Sequence, residues 1–212
     1  MGKERTIWLI RHGNREDFID KEWRQKTSRP HDPPLSADGI EQARLTGLHL
    51  VGEKIDHIFC SPFLRTVQTA ATITAALGMS IKLEPGLGEL HLAEWFPVRP
   101  ETLAAQQLRE FYPAVDAGYE PVNAPGYPET WEEAEERAAT TARRLLERYQ
   151  GNLVLVGHGG SVFGSVMGIL GGREFAIHTP FCSLIQISGK PGAWRIERDG
   201  SDTSHWAGAR DR

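Results

Sequence analysis

The sequence predicts an α/β fold, a mostly parallel central sheet with helices on both faces and an inserted lid region. Short apolar runs at residues 6–10, 55–60 and 152–156 read as strands buried on both faces, and stretches of helical periodicity separate them. Each run also ends in a cluster of polar and glycine residues, the pattern of strands that deliver side chains to a ligand beyond their carboxyl ends.

The elements follow in order. The first strand, 6–10, leads into Arg11-His12-Gly13. Ser36 then opens a helix as its N-cap, with Leu35 placed to staple onto Ile40. Ile40, Ala43, Gly47, Leu48 and Val51 are expected to form its buried face. The second strand, 55–60, is followed by Ser61-Pro62, a cap residue and then a proline at the first helical position. That helix is expected to run through Arg65, Gln68, Thr72 and Ala76 to a stop at Gly78. Thr130-Trp131-Glu132-Glu133 is a capping box, and it predicts a helix burying Trp131, Ala134, Ala138, Thr141, Leu145 and Tyr149. Gly151 ends this helix. The strand at 152–156 passes through Gly157-His158-Gly159-Gly160-Ser161 into a further helix, and 184–187 and 194–197 read as closing strands. Between residues 89 and 129 the periodicity loosens, broken by prolines at 97, 100, 113, 121, 125 and 128. A long irregular stretch in a compact chain is usually functional, so 89–129 is read as a lid within one domain spanning 1–212.

Composition excludes several classes of partner. Hydrophobic residues make up 40% and charged residues 25% of the 212, an ordinary globular balance. A net charge of −4 gives no basic field, so nucleic acid is not an expected partner. No apolar run approaches the roughly 20 residues of a membrane helix, so no membrane is expected either. The first residues carry no apolar signal segment. They fit a loose myristoylation pattern through Gly2 and Thr6, against which charged Lys3 and the nearby strand weigh. Two cysteines without metal-ligand spacing, Cys60 and Cys182, suggest a reducing, cytoplasmic setting. Oligomeric state leaves no mark in the sequence.

Arg11-His12, the stretch from Ser61 to Arg65, and His158 each follow an apolar strand. Two histidines and two arginines meeting there suit phosphoryl transfer through a phosphohistidine. A neutral imidazole is a good nucleophile when one ring nitrogen is held so that the other faces phosphorus. A backbone carbonyl near His12 can do this, and Gly13 leaves room for the chain to turn. Arg11 and Arg65 present planar forks to phosphate oxygens, and His158 adds a donor. Arg65 stands in the first turn of a helix, against the helix dipole, which makes sense if an anion binds there.

Arg11-His12-Gly13, Ser61-Pro62-Phe63-Leu64-Arg65-Thr66 and Gly157-His158-Gly159 resemble, in order, the motifs of the histidine phosphatase superfamily, the branch that includes phosphoglycerate mutases. A finer resemblance is to the ecdysteroid-phosphate phosphatases and the suppressors of T-cell receptor signalling. It rests on Arg15, three residues after His12, on Pro33-Pro34-Leu35-Ser36, and on Glu84-Pro85-Gly86-Leu87-Gly88-Glu89. Asn14 departs from the pattern, since many members have glutamate or glutamine there. The resemblance implies a phosphoglycerate mutase-like fold and a metal-independent phosphomonoesterase without cofactor. His12 would be the phosphorylated residue, and Arg11, Arg65 and His158 would complete the phosphate pocket. It further implies Glu89 as proton donor, over the rivals Glu84, Glu94 and Glu101, with a raised pKa beside bound phosphate. Arg15, Asn14 and Ser61 are the expected substrate-binding residues, although Arg15 has a plain alternative as a surface charge among Glu16, Asp17 and Asp20.

Other readings compete. The pair His31-Asp32 invites a metal site, but no further ligands stand at suitable spacing. His49, His57, His178 and His205 read as structural or exposed. Trp23, Trp95, Phe96, Phe111 and Tyr112 either grip an apolar leaving group or anchor the lid. A mutase would share the pocket, but the chain closes in a polar stretch soon after 194–197, which favours hydrolysis. A silent binder of phosphorylated ligands is the third alternative. The expected substrate is a phosphorylated small molecule or phosphoprotein.

Overall fold

The computed structural model describes residues 3–207, so Gly2 and the myristoylation pattern it anchors lie outside the described residues. Strand β1 (Arg5–Arg11) is followed by the short helix α1 (Glu16–Ile19) and then by α2 (Ala37–His49). Next come β2 (His57–Cys60), α3 (Leu64–Leu77) and β3 (Ile81–Leu83). Helix α4 (Ala105–Phe111) lies within the lid segment, and α5 (Trp131–Arg148), β4 (Leu153–Gly157) and α6 (Gly159–Leu170) follow it. The chain closes with β5 (Leu184–Lys190), β6 (Ala193–Asp199) and α7 (Ser204–Ala207).

The six strands form one sheet in the order β3-β2-β4-β1-β5-β6. The first four are mutually parallel, while β5 runs antiparallel to both β1 and β6. The sheet is therefore mostly parallel, as the sequence implies. Alternating side chains divide its core in two. Trp8, Ile10, Ile58, Cys60, Val154 and Val156 pack on one face with Val67, Ala70 and Ile73 of α3. Ile7, Leu9, Phe59, Leu153 and Leu155 pack on the other with Leu145 of α5 and Val162 and Val166 of α6. Burial on both faces is why these strands read as continuous apolar runs.

Register positions the site. Arg11 pairs with Gly157, Cys60 with Val156, and Cys60 with Leu83, so β1, β4, β2 and β3 all stop at one level. The residues that follow, His12, His158, Ser61 and Glu84, therefore emerge side by side.

Three expectations about helices need correction. On α2 the buried residues are Gly39, Gln42, Ala43, Thr46 and Gly47, whereas Ile40, Leu48 and Val51 are 45%, 50% and 56% exposed. Close packing of backbone decides the face. A Cβ at Gly39 would stand 2.1 Å from the Asn14 carbonyl oxygen, and one at Gly47 would stand 3.0 Å from the Ile73 Cα. Leu35 accordingly packs with Ala43 and Cys182, while Ile40 stays largely exposed. Helix α3 starts at Leu64 with extended Phe63 as its cap, two residues later than expected. Its first N–H is taken from outside the helix, since Leu64 N donates to Asp32 Oδ1 at 2.6 Å. On α5 the capping box forms in both directions, but Trp131 is exposed and stands edge-on to Trp95. β3 and α4 carried too few periodic residues for a sequence reading to place them.

The segment 89–129 covers one end of the sheet rather than standing apart. Leu108 and Val115 join the core around α3, and Val115 makes a parallel bridge to Ile81, covering the edge of β3. Glycine is required where α2 meets the loop after β1. Gly39→Ala should therefore destabilise the protein by about 1–3 kcal/mol. Urea unfolding measures this, with Gly172→Ala as a near-neutral control because nothing lies within 4 Å of a Cβ there.

Candidate active site

His12 is buried at the end of β1. Its backbone N–H donates to Gly157 O at 3.0 Å, tying the loop to β4. Its Nδ1 lies 2.7 Å from Gly13 O, and a carbonyl can only accept, so the proton sits on Nδ1 and Nε2 keeps its lone pair. Gly13 is fixed in turn, with its N–H donating to Thr69 Oγ1 at 3.1 Å. Burial, reinforced by the positive field of Arg65, holds the His12 pKa well below its ordinary 6.5. The ring is thus neutral, oriented and unprotonated on the atom that faces the site.

Arg65, His158 and Glu89 form a triangle. Arg65 Nη2 lies 3.2 Å from Glu89 Oε2 and 3.2 Å from His158 Nδ1, and Glu89 Oε2 is 3.3 Å from His158 Nδ1. The His158 ring stands 5.2 Å from that of His12, edge to face. Its Nε2 is 2.9 Å from Ser61 Oγ, and its backbone N–H donates to Ser161 Oγ at the start of α6. Phe63 presents its ring to the Arg65 guanidinium at 4.6 Å. Burial lowers the Arg65 pKa to about 10, and Nε and Nη1 of this buried guanidinium have no partner. Arg11 donates to Thr179 O at 2.8 Å and stacks on Phe181, and its Nε is also unpartnered. Two guanidinium groups with unused donors around one imidazole make a site for a compact dianion.

Glu89 does not have the raised pKa expected of it. Burial pushes this carboxyl up, but His158, Arg65 and His12 together outweigh it and hold it well below 4.5. Burial also lowers His158 to about 4, so at neutral pH the cation that keeps Glu89 ionised is Arg65. The donor atoms of His12, Glu89 and His158 lie within 4.8 Å of one another, a spacing that can hold a metal ion. The Arg65 guanidinium already bridges two of the three, which opposes a divalent cation there.

A cleft of about 400 Å³ opens onto this centre. Arg11, Arg65 and Glu89 line its base, and Phe18, Arg24, His31, Trp95 and Phe96 line its walls. Arg15 also lines it, engaged with both oxygens of Asp17 and stacked on Phe18. Asn14 and Ser61, like His12 and His158, are not among the residues that line the cleft. Asn14 donates to Asp38 and takes the backbone N–H of Arg15 and Ser36, bracing the loop against α2. Ser61 stands behind His158 and orients it. Asp32 accepts the Leu64 N–H at the start of α3, and His31 packs edge-on against Phe96. Glu84, a rival acid, is buried and accepts from Gly86, Val122, Asn123 and the Tyr119 hydroxyl, a structural strut. Sequence reasoning missed Arg24 and Phe18, which lie in a stretch of mixed charge with no periodicity to mark them.

An α/β sheet that delivers an oriented neutral histidine, a second histidine, buried Arg65 and half-buried Arg11 to one point makes a site suited to holding a phosphate. Residues 7–201 match the model of the histidine phosphatase superfamily (branch 1). The chain belongs to that superfamily. It is 30% identical over 240 aligned positions to an ecdysteroid-phosphate phosphatase of Drosophila melanogaster, an alignment covering 92% of this chain and 32% of that protein. This chain thus spans about a third of that relative's length. It is 28% identical to a probable phosphoglycerate mutase of Photorhabdus laumondii, over 89% of this chain and 86% of that one. The fold matches the ecdysone phosphate phosphatase from Bombix mori, solved with tungstate, at a TM-score of 0.77 and 24% identity over 91% of each chain.

Burying a neutral His158 ties stability to pH. Its folded pKa, about 4, lies below the ordinary 6.5, so between these values the unfolded chain binds more protons and stability falls as pH drops. The melting temperature should decline from pH 6.5 toward 4, and His158→Asn should flatten that slope. An unchanged slope in the variant would show that this histidine does not carry the effect.

Proposed function

We propose that the protein is a phosphomonoesterase that forms a phosphohistidine on His12. The observation that carries this reading is the locked His12 imidazole beside buried Arg65 and half-buried Arg11, both with unused donors. In the first step Nε2 of His12 attacks phosphorus, the N–P bond forms, and the ester P–O bond breaks. Glu89 passes its proton to the departing oxygen. Arg11, Arg65 and His158 hold the non-bridging oxygens, where charge gathers in the transition state. Water then attacks phosphorus, Glu89 takes one of its protons, and the N–P bond breaks to release phosphate and restore His12. No step needs a metal, because the guanidinium groups supply the positive charge.

Glu89 starts as a carboxylate, so its proton enters with the substrate. A phosphate dianion offsets the field of Arg65 and places like charge beside the carboxylate, and both effects favour protonation. The expectation of a raised pKa thus applies to the occupied site.

The aromatic walls Phe18, Trp95 and Phe96 support a leaving group with a flat or apolar body. Arg15 is committed to Asp17, which leaves fewer free cations for the carboxylate of a phosphoglycerate and favours hydrolysis over mutase chemistry. We further propose a single domain over 1–212, with 89–129 as a cover that carries Glu89 and Trp95. A cytoplasmic location fits the two free buried cysteines. No helix among the described residues is long and apolar enough to cross a membrane.

Turnover of para-nitrophenyl phosphate in EDTA tests the reading. Wild type should release phosphate and form an acid-labile phosphoenzyme, and His12→Ala should do neither. Activity that requires metal and survives that substitution would overturn it. Arg65→Ala should lose about 100-fold or more in kcat, since it removes transition-state donors.

The pH profile has a definite sign. Productive complexes need one proton on the Glu89–phosphate pair and none on His12. His12 stays neutral well below 6.5, so kcat/KM should rise on acidification from pH 8 and peak below 6.5. A profile that falls through 6.5 as pH is lowered would mean a nucleophile of ordinary basicity.

A further inference from the structure

Arg137 of α5 is buried, lies outside the cleft and is unmarked by any motif, yet every one of its donors points at the loop that carries Glu89 or at that loop's anchor. Nη1 donates to Gly86 O at 2.9 Å and to Gly88 O at 3.3 Å. Nη2 donates to Glu89 O at 2.9 Å and to Glu129 Oε2 at 2.9 Å. Nε donates to Glu129 Oε1 at 2.7 Å. A guanidinium has five N–H bonds, and here each has an acceptor. Glu129 Oε2 also accepts the backbone N–H of His91, two residues beyond Glu89.

We propose that the buried Arg137–Glu129 pair is the positioning device for the proton donor, fixing the backbone from Gly86 to His91 so that the Glu89 carboxylate meets Arg65 and His158. The proposal rests on the reading of Glu89 as that donor. The loop is gripped from two sides by opposite chemistry. On its N-terminal side Glu84 collects N–H groups, including that of Gly86. On its other side Arg137 collects carbonyl groups. Between the two grips the backbone of Glu89 has little freedom, and the side chain inherits that placement.

The geometry also explains why this position calls for arginine. Its flat fork reaches three carbonyls and one carboxylate at once, whereas a lysine ammonium has three donors and no fixed plane. Glu129 has a double task. It neutralises the buried cation and extends the anchor across Glu89 to His91. Packing alone does not require this arrangement, because the surrounding Ala134, Ala138 and Leu145 already bury the apolar face of α5.

The experiment compares Arg137→Lys, Glu129→Gln and Glu89→Gln on two substrates. The nitrophenolate of para-nitrophenyl phosphate departs with little help from an acid, whereas the alkoxide of benzyl phosphate needs the proton. A misplaced acid should therefore cost more on benzyl phosphate. We expect Arg137→Lys and Glu129→Gln to lower kcat/KM, which reads only the steps up to phosphoenzyme formation, at least about tenfold more on benzyl than on nitrophenyl phosphate, as loss of a general acid would. Inhibition by inorganic phosphate should change little, because Arg11, Arg65 and His158 are untouched. Glu129→Gln keeps shape and one acceptor, so it carries the test if Arg137→Lys does not fold.

Equal losses in kcat/KM on both substrates in the anchor variants, with Glu89→Gln showing the selective loss, would overturn the proposal and leave Glu89 as the acid. A Glu89→Gln enzyme with no selective loss would instead sink the reading of Glu89 itself. The two failures are thus distinguishable.

Discussion

Arg65 is a cation kept out of water with part of its hydrogen-bonding capacity unused, and much of the site follows from that. Removing a charge from water costs several kcal/mol unless partners restore what solvation gave. Glu89 and the ring face of Phe63 restore part, and the lowered pKa records what remains unrestored. On the proposed function, a phosphate dianion would supply the missing acceptors. The same cation holds Glu89 ionised and helps keep His12 neutral, so one buried charge sets the protonation state of both groups that the chemistry uses. Cation, base and nucleophile form one coupled unit, and each fixes the others before substrate arrives.

That unit depends on placement of the backbone. Level strand ends bring His12 and His158 together without any loop having to search for them. Glu89 comes from further away, in a segment with no regular structure, and so it needs other support. Buried Glu84 and Arg137 provide it by binding N–H groups on one side and carbonyl groups on the other. A loop built this way reaches the rigidity of a strand, although its hydrogen bonds go to side chains.

This contrast explains what could be read from the sequence. The strands, the helix stops and the capping box at Thr130 are local signals, written in periodicity and in the chemistry of a few adjacent residues. His12, Arg11, Arg65 and His158 were legible because each follows directly on such a signal. Glu89 was legible only through resemblance, since nothing local marks it. The face of α2 was misread because hydrophobic pattern gives way to close approach of glycine backbone, as at Gly39 and Gly47. Helix α3 was begun too early because its first N–H is satisfied by Asp32, 32 residues upstream. Asn14 and Ser61 sit beside the key residues in sequence, but their polar atoms serve Asp38 and His158 rather than the cleft. Adjacency in the chain does not say which way a side chain faces.

The cleft itself divides along the same line. Its base is made of charged groups held by the strand ends and by the braced Glu89 loop, and on the proposed function it would receive the phosphoryl group that all substrates of this chemistry share. Its walls come from α1, the segment before α2 and the cover segment, through Phe18, His31, Trp95 and Phe96. These elements carry few of the constraints that hold the base. Phe18 is 43% exposed and Trp95 is 41% exposed, so substitutions there disturb little of the core. A fold arranged in this way can change its leaving group without touching its phosphate chemistry. Arg24 and Arg15, the latter already paired with Asp17, add charge to the same walls. On the proposed function, this division between a fixed base and an adaptable wall would let one centre serve different phosphomonoesters, because the base would fix the reaction and the wall would select the alcohol.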